Sequence, residues 1–131
     1  MWGRRKAAAG TIETLIGAAA VIEGDIRFKG GLRIDGEVRG SVIAEEGAPS
    51  MLVLSERAKI VGAVRAGSLV VNGSIEGPVL AEDTIELQPK ARIRGDVSYR
   101  SLEIHQGAVV DGRLTHLEAE RPGLKLASSK D

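Results

Sequence analysis

Apolar and polar residues alternate with a period of two along most of this 131-residue chain. Apolar residues or glycine occupy the even positions from Ala20 to Phe28 and from Leu32 to Val42. They do so again at Leu52, Leu54, Ala58, Ile60, Gly62, Val64 and Ala66. The phase turns odd at Leu69, Val71, Gly73, Ile75, Gly77 and Val79, and stays odd through Ile85, Leu87, Ala91, Ile93, Gly95 and Val97. It returns to even at Leu102, Ile104, Ala108, Val110, Gly112 and Leu114. Period two over whole segments predicts strands with one buried face, and the three- and four-residue spacing of an amphipathic helix is absent. The positions between are filled by Arg, Glu, Asp, Lys and Ser, as a solvated outer face requires. Phase switches are expected at corners, where one residue is gained or lost.

The alternation is itself repeated. Leu32–Ile34, Leu52–Leu54, Leu69–Val71, Ile85–Leu87 and Leu102–Ile104 begin 20, 17, 16 and 17 residues apart. An apolar–x–Gly–x–apolar phrase accompanies them, as in Ile60–Gly62–Val64 and Ile93–Gly95–Val97. A period near 17 is too short for helical repeats or propeller blades and fits one turn of a β-solenoid. About six windings are expected, the first starting near Leu15. Residues 52–64, 85–97 and 102–114 share a three-residue corner, whereas 32–42 and 69–79 place glycine sooner and twice. The extra residues between Val42 and Leu52 read as a loop bulging from one corner. The glycines read as corner residues, because a phosphate cradle needs a strand–loop–helix context that this pattern lacks.

Stacked 4.8 Å apart, six windings make a rod roughly 25–30 Å long. Its two ends would expose unpaired backbone groups and the apolar cross-section, which favours end-to-end stacking unless something caps them. No amphipathic helix long enough to act as a cap is evident.

Composition narrows the chemistry. Lys plus Arg (18) balance Asp plus Glu (18), and Trp2, Phe28 and Tyr99 are the only aromatics, so no nucleic-acid partner is expected. The absence of cysteine excludes disulfides and thiolate zinc sites. No stretch approaches the roughly 20 apolar residues of a membrane-spanning helix. His105, in the outward phase beside a corner, and His116, at the rod's end, lack an obvious carboxylate motif and read as surface residues. No catalytic constellation, cofactor site or metal site is expected, so the chain is read as a non-enzyme. Residues 1–10 read as a flexible basic tail and residues 118–131 as a disordered C-terminal one, leaving 11–117 as the body. Met1, Trp2, Arg4, Arg5 and Lys6 form a candidate membrane contact, since tryptophan favours the membrane interface and each basic residue adds about 1 kcal/mol on an anionic surface.

The ordered set of motifs resembles the bactofilin family over about residues 11–117. It includes Thr11–Ile12–Glu13–Thr14–Leu15–Ile16–Gly17, Ile22–Glu23–Gly24–Asp25–Ile26 and Gly30–Gly31–Leu32–Arg33–Ile34–Asp35–Gly36–Glu37–Val38–Arg39–Gly40. Ala91–Arg92–Ile93–Arg94–Gly95–Asp96–Val97 and Gly107–Ala108–Val109–Val110–Asp111–Gly112–Arg113–Leu114 continue it. The resemblance implies an all-β, right-handed, three-sided parallel β-helix in a bacterial cytoskeletal protein. It implies nucleotide-independent, non-polar filaments built by head-to-head and tail-to-tail contact of end windings. It also implies a cytoplasmic protein, peripheral at the inner face of the membrane, that scaffolds cell-wall enzymes such as peptidoglycan peptidases. Polymerisation residues are accordingly expected in the end windings: Leu15, Ile22, Ile26, Leu102, Ile104, Val110 and Leu114. The alternative is a non-polymerising β-helix module that recruits a peptidoglycan enzyme. A left-handed β-helix acyltransferase is disfavoured, because the spacing lacks its six-residue phasing.

Overall fold

The computed structural model describes residues 12–118, and every regular element among them is a strand. In chain order these are β1 (Thr14–Ile16), β2 (Val21–Glu23), β3 (Ile26–Phe28), β4 (Gly30–Ile34), β5 (Glu37–Arg39), β6 (Val42–Ala44), β7 (Ser50–Leu54) and β8 (Lys59–Val61). There follow β9 (Val64–Val71), β10 (Ser74–Glu76), β11 (Val79–Leu87), β12 (Arg92–Arg94), β13 (Val97–Tyr99), β14 (Ser101–Ile104), β15 (Val109–Asp111) and β16 (Leu114–His116). All pairings are parallel, and each strand pairs with its counterpart one winding away. The first station of the winding runs β1–β4–β7–β9–β11–β14, and the second runs β2–β5–β8–β10–β12–β15. The third runs β3–β6–β9–β11–β13–β16. β9 and β11 pass through a corner without a break, serving the third station of one winding and the first of the next. The result is the expected solenoid, with six windings of three strands each.

Side-chain alternation makes the core a set of columns. Ile16, Ile34, Leu54, Val71, Leu87 and Ile104 are successive register partners. Ile22, Val38, Ile60, Ile75, Ile93 and Val110 form another column, as do Ile26, Val42, Val64, Val79, Val97 and Leu114. The middle members are fully buried, and burying one such side chain contributes about 1.5–3 kcal/mol. No single winding can bury these residues alone, so stability lives in the contacts between neighbours.

The corners explain the glycines. Between the second and third stations, Gly24, Gly40, Gly62, Gly77, Gly95 and Gly112 stack directly on one another. A Cβ on any of the last five would collide with the carbonyl oxygen of the glycine below it. Gly77 also has φ of 149°, a conformation that side chains rarely adopt. The corner between the first and second stations takes two forms instead. Its longer form closes with turn bonds such as Ala58 N–H to Ser55 O and Ala91 N–H to Gln88 O. Its shorter form uses Gly36 and Gly73, nested against the carbonyls of the longer corner beneath. The loop expected between Val42 and Leu52 occupies residues 45–49, outside the strands. Just after it, Ser50 is the one buried polar side chain among the described residues, and its Oγ accepts a bond from Gly67 N–H at 2.8 Å. That hydroxyl carries the ladder across the even-to-odd phase switch between Ala66 and Leu69.

Candidate assembly surfaces

Among the described residues, both ends of the rod are open. β1, β2 and β3 pair on one side only, as do β14, β15 and β16. No helix covers either end among the described residues.

The expected end-winding residues divide by register. Ile22 pairs with buried Val38 and Ile26 with buried Val42, so both face the core column of the first winding. Leu102, Ile104, Val110 and Leu114 pair with buried Ile85, Leu87, Ile93 and Val97. These four share the cross-section of the last winding. Ile104 is 47% exposed and Leu114 43%, although their partners Leu87 and Val97 are both at 0%. The side chains keep the inward direction, and the exposure arises because no described winding stacks beyond them. Leu15 is different. Its register partner is Arg33, on the outer face, so it lies 60% exposed on the side of the rod. Thr14 takes the inward position beneath Leu32 instead. Met1, Trp2, Arg4, Arg5 and Lys6 lie outside the described residues.

The outer faces carry charge in register. Glu23 pairs with Arg39, Glu37 with Lys59, Glu76 with Arg94 and Arg94 with Asp111, each of opposite sign. Arg39 donates through Nε to Glu37 at 2.8 Å and through Nη1 to Glu23 at 3.1 Å. The bond to Glu37 raises the guanidinium pKa, and the bond from Arg39 lowers that of Glu37. Arg33 Nε donates to Asp35 at 2.9 Å and lowers that carboxyl below its ordinary range. Such exposed pairs fix register more than they add stability.

The sequence reading missed one constellation. His105 Nε2 lies 2.8 Å from Glu86 and 3.4 Å from Glu103. Glu103 is two residues away in sequence, but Glu86 is brought in by the ladder from the winding before. The signal that could have found it is register: Glu86 precedes Glu103 by one repeat.

A parallel solenoid whose two end windings, among the described residues, leave apolar columns uncovered is an architecture suited to end-on contact. The chain matches the family model for bactofilins, described as polymer-forming cytoskeletal, over residues 14–115, and it belongs to that family. It is 27% identical over 101 residues to bactofilin BacO of Myxococcus xanthus (strain DK1622), covering 77% of each protein. It is also similar to a Thermus thermophilus bactofilin solved by cryo-EM in double helical filaments. That likeness has a TM-score of 0.68 at 33% identity and covers 80% of this chain and 100% of the other. The chain is therefore a cytoskeletal protein, in a family of polymer formers rather than enzymes.

Proposed function

We propose that this chain assembles end to end, without nucleotide, into non-polar filaments that scaffold cell-wall or cell-shape machinery at the inner face of the cytoplasmic membrane. The observation carrying this reading is the open last winding, where Ile104 and Leu114 stand in core register yet nearly half exposed. A second copy meeting it through a two-fold axis would place core column on core column and continue the interior. The first winding, with Ile16, Ile22 and Ile26 partly buried, offers the corresponding surface at the other end. Like ends meeting alternately give a filament with no direction. The double helical filaments of the Thermus thermophilus relative support assembly as the outcome. Peptidoglycan peptidases are the class of cargo such a scaffold would hold, and Met1, Trp2, Arg4, Arg5 and Lys6 its lipid contact. A weak anchor of this kind gains avidity when repeated along a polymer.

Negative-stain electron microscopy of purified protein, without nucleotide and with chelator present, tests the reading. Thin filaments are expected. Discrete particles across a range of salt and concentration would refute assembly and favour the non-polymerising module.

A further inference from the structure

The paired registers of the outer faces contain five charged pairs among the described residues. Four are of opposite sign; the fifth, Glu86 on β11 against Glu103 on β14, sets like against like. Two carboxylates side by side on a ladder destabilise it unless something neutralises them. Among the described residues no lysine or arginine ion pair reaches either of them. Their ion-pair partner is His105, whose Nε2 faces both. The three donor atoms lie within 4.8 Å of one another.

We propose that His105, Glu86 and Glu103 bind a divalent transition metal ion of the zinc class, which ties the sixth winding to the fifth. The donor set selects the metal. Magnesium and calcium prefer all-oxygen shells, whereas one imidazole with two carboxylates suits zinc. Geometry agrees. Ligand atoms in a tetrahedral zinc site stand about 3.3 Å apart, given bonds of about 2.0–2.1 Å. The separation of 3.4 Å to Glu103 already fits, and that of 2.8 Å to Glu86 need open only slightly. The side chains are partly exposed, so the ion has an entry path and water takes the open position. Glu103 and His105 lie on β14 and at its corner, and Glu86 on β11, so binding crosslinks the terminal winding to its neighbour. The site is complete within one chain and does not depend on filament formation.

Untagged, chelator-stripped protein should bind one Zn²⁺ per chain by titration calorimetry. Saturating ZnCl₂ should raise the melting temperature by about 5 °C or more, with no comparable rise in MgCl₂. His105→Gln and Glu86→Gln, both near-isosteric changes at partly exposed positions, should fold normally and lose the zinc effect. An absent zinc shift in the wild type would overturn the proposal, as would an equal shift in His105→Gln or an equal response to magnesium. Repeating the titration in Leu114→Arg separates the site from assembly. Binding without filaments leaves the site intact, whereas binding lost in a folded Leu114→Arg would overturn the single-chain site.

Discussion

Leu114→Arg should abolish filaments while leaving the solenoid folded. Leu114 keeps 43% of its surface exposed, and Val97 beneath it keeps none. Burial of a whole leucine contributes about 1.5–3 kcal/mol, so roughly 1 kcal/mol remains available per copy. A two-fold contact brings two copies together and doubles that to about 2 kcal/mol, or roughly thirtyfold in affinity. Arginine removes this gain and sets two guanidinium groups face to face in an apolar contact. Desolvating each costs several kcal/mol, so the contact should weaken on the order of a thousandfold or more. Leu114→Ala, which only truncates, should cost roughly tenfold. The assay is the pelleted fraction across a dilution series, giving the critical concentration, with electron microscopy of the same samples. Far-UV circular dichroism checks the fold. Leu114→Arg pelleting at the wild-type critical concentration, with unchanged circular dichroism, would refute the proposed end contact.

Three further outcomes are expected. Gly77→Ala should destabilise the monomer by on the order of 3 kcal/mol or more, read as a lowered melting temperature, because its Cβ would strike the Gly62 carbonyl at a φ that alanine avoids. Asp35 and Glu37 have folded pKa values lowered by Arg33 and Arg39, so their contribution is present above the ordinary carboxylate range of about 4. It is lost as pH falls through the lowered values, and Arg33→Gln should flatten the melting-temperature profile in that acid window. Deleting residues 1–6 should reduce co-sedimentation with anionic liposomes and leave assembly unchanged; equal lipid binding by the truncated chain would remove the role assigned to Trp2 and its basic neighbours.

Much of the fold was legible because a solenoid writes its geometry into short-range pattern. Alternation gave the inward columns, and the phase change between Ala66 and Leu69 marked a corner that β9 passes through. The repeat also placed Ile104 and Leu114 in an end winding. Leu15 was harder. The first winding sets Thr14 inward and Leu15 outward, so its hydrophobicity runs against its register. One glycine phrase also hid two corners, since Gly36 and Gly73 serve the first and Gly62, Gly95 and Gly112 the second. The meeting of His105 with Glu86 depends on which residues are register partners a winding apart. Motif spacing within a single repeat cannot supply that.

The ladder has a consequence for how the molecule comes into being. Register partners are never far apart, from Lys59 with Ser74 at the shortest to Glu37 with Lys59 at the longest. Each winding therefore has its template as soon as the preceding one exists, and order can spread down the chain turn by turn. During synthesis the first winding emerges earliest and the winding bearing Ile104 and Leu114 last. A chain cut short by a stalled ribosome or by damage could still build most of the rod, yet it would lack the end surface proposed above for docking. If the proposed end contact holds, recruitment into a polymer would then admit at that end only chains that have built the winding bearing Ile104 and Leu114.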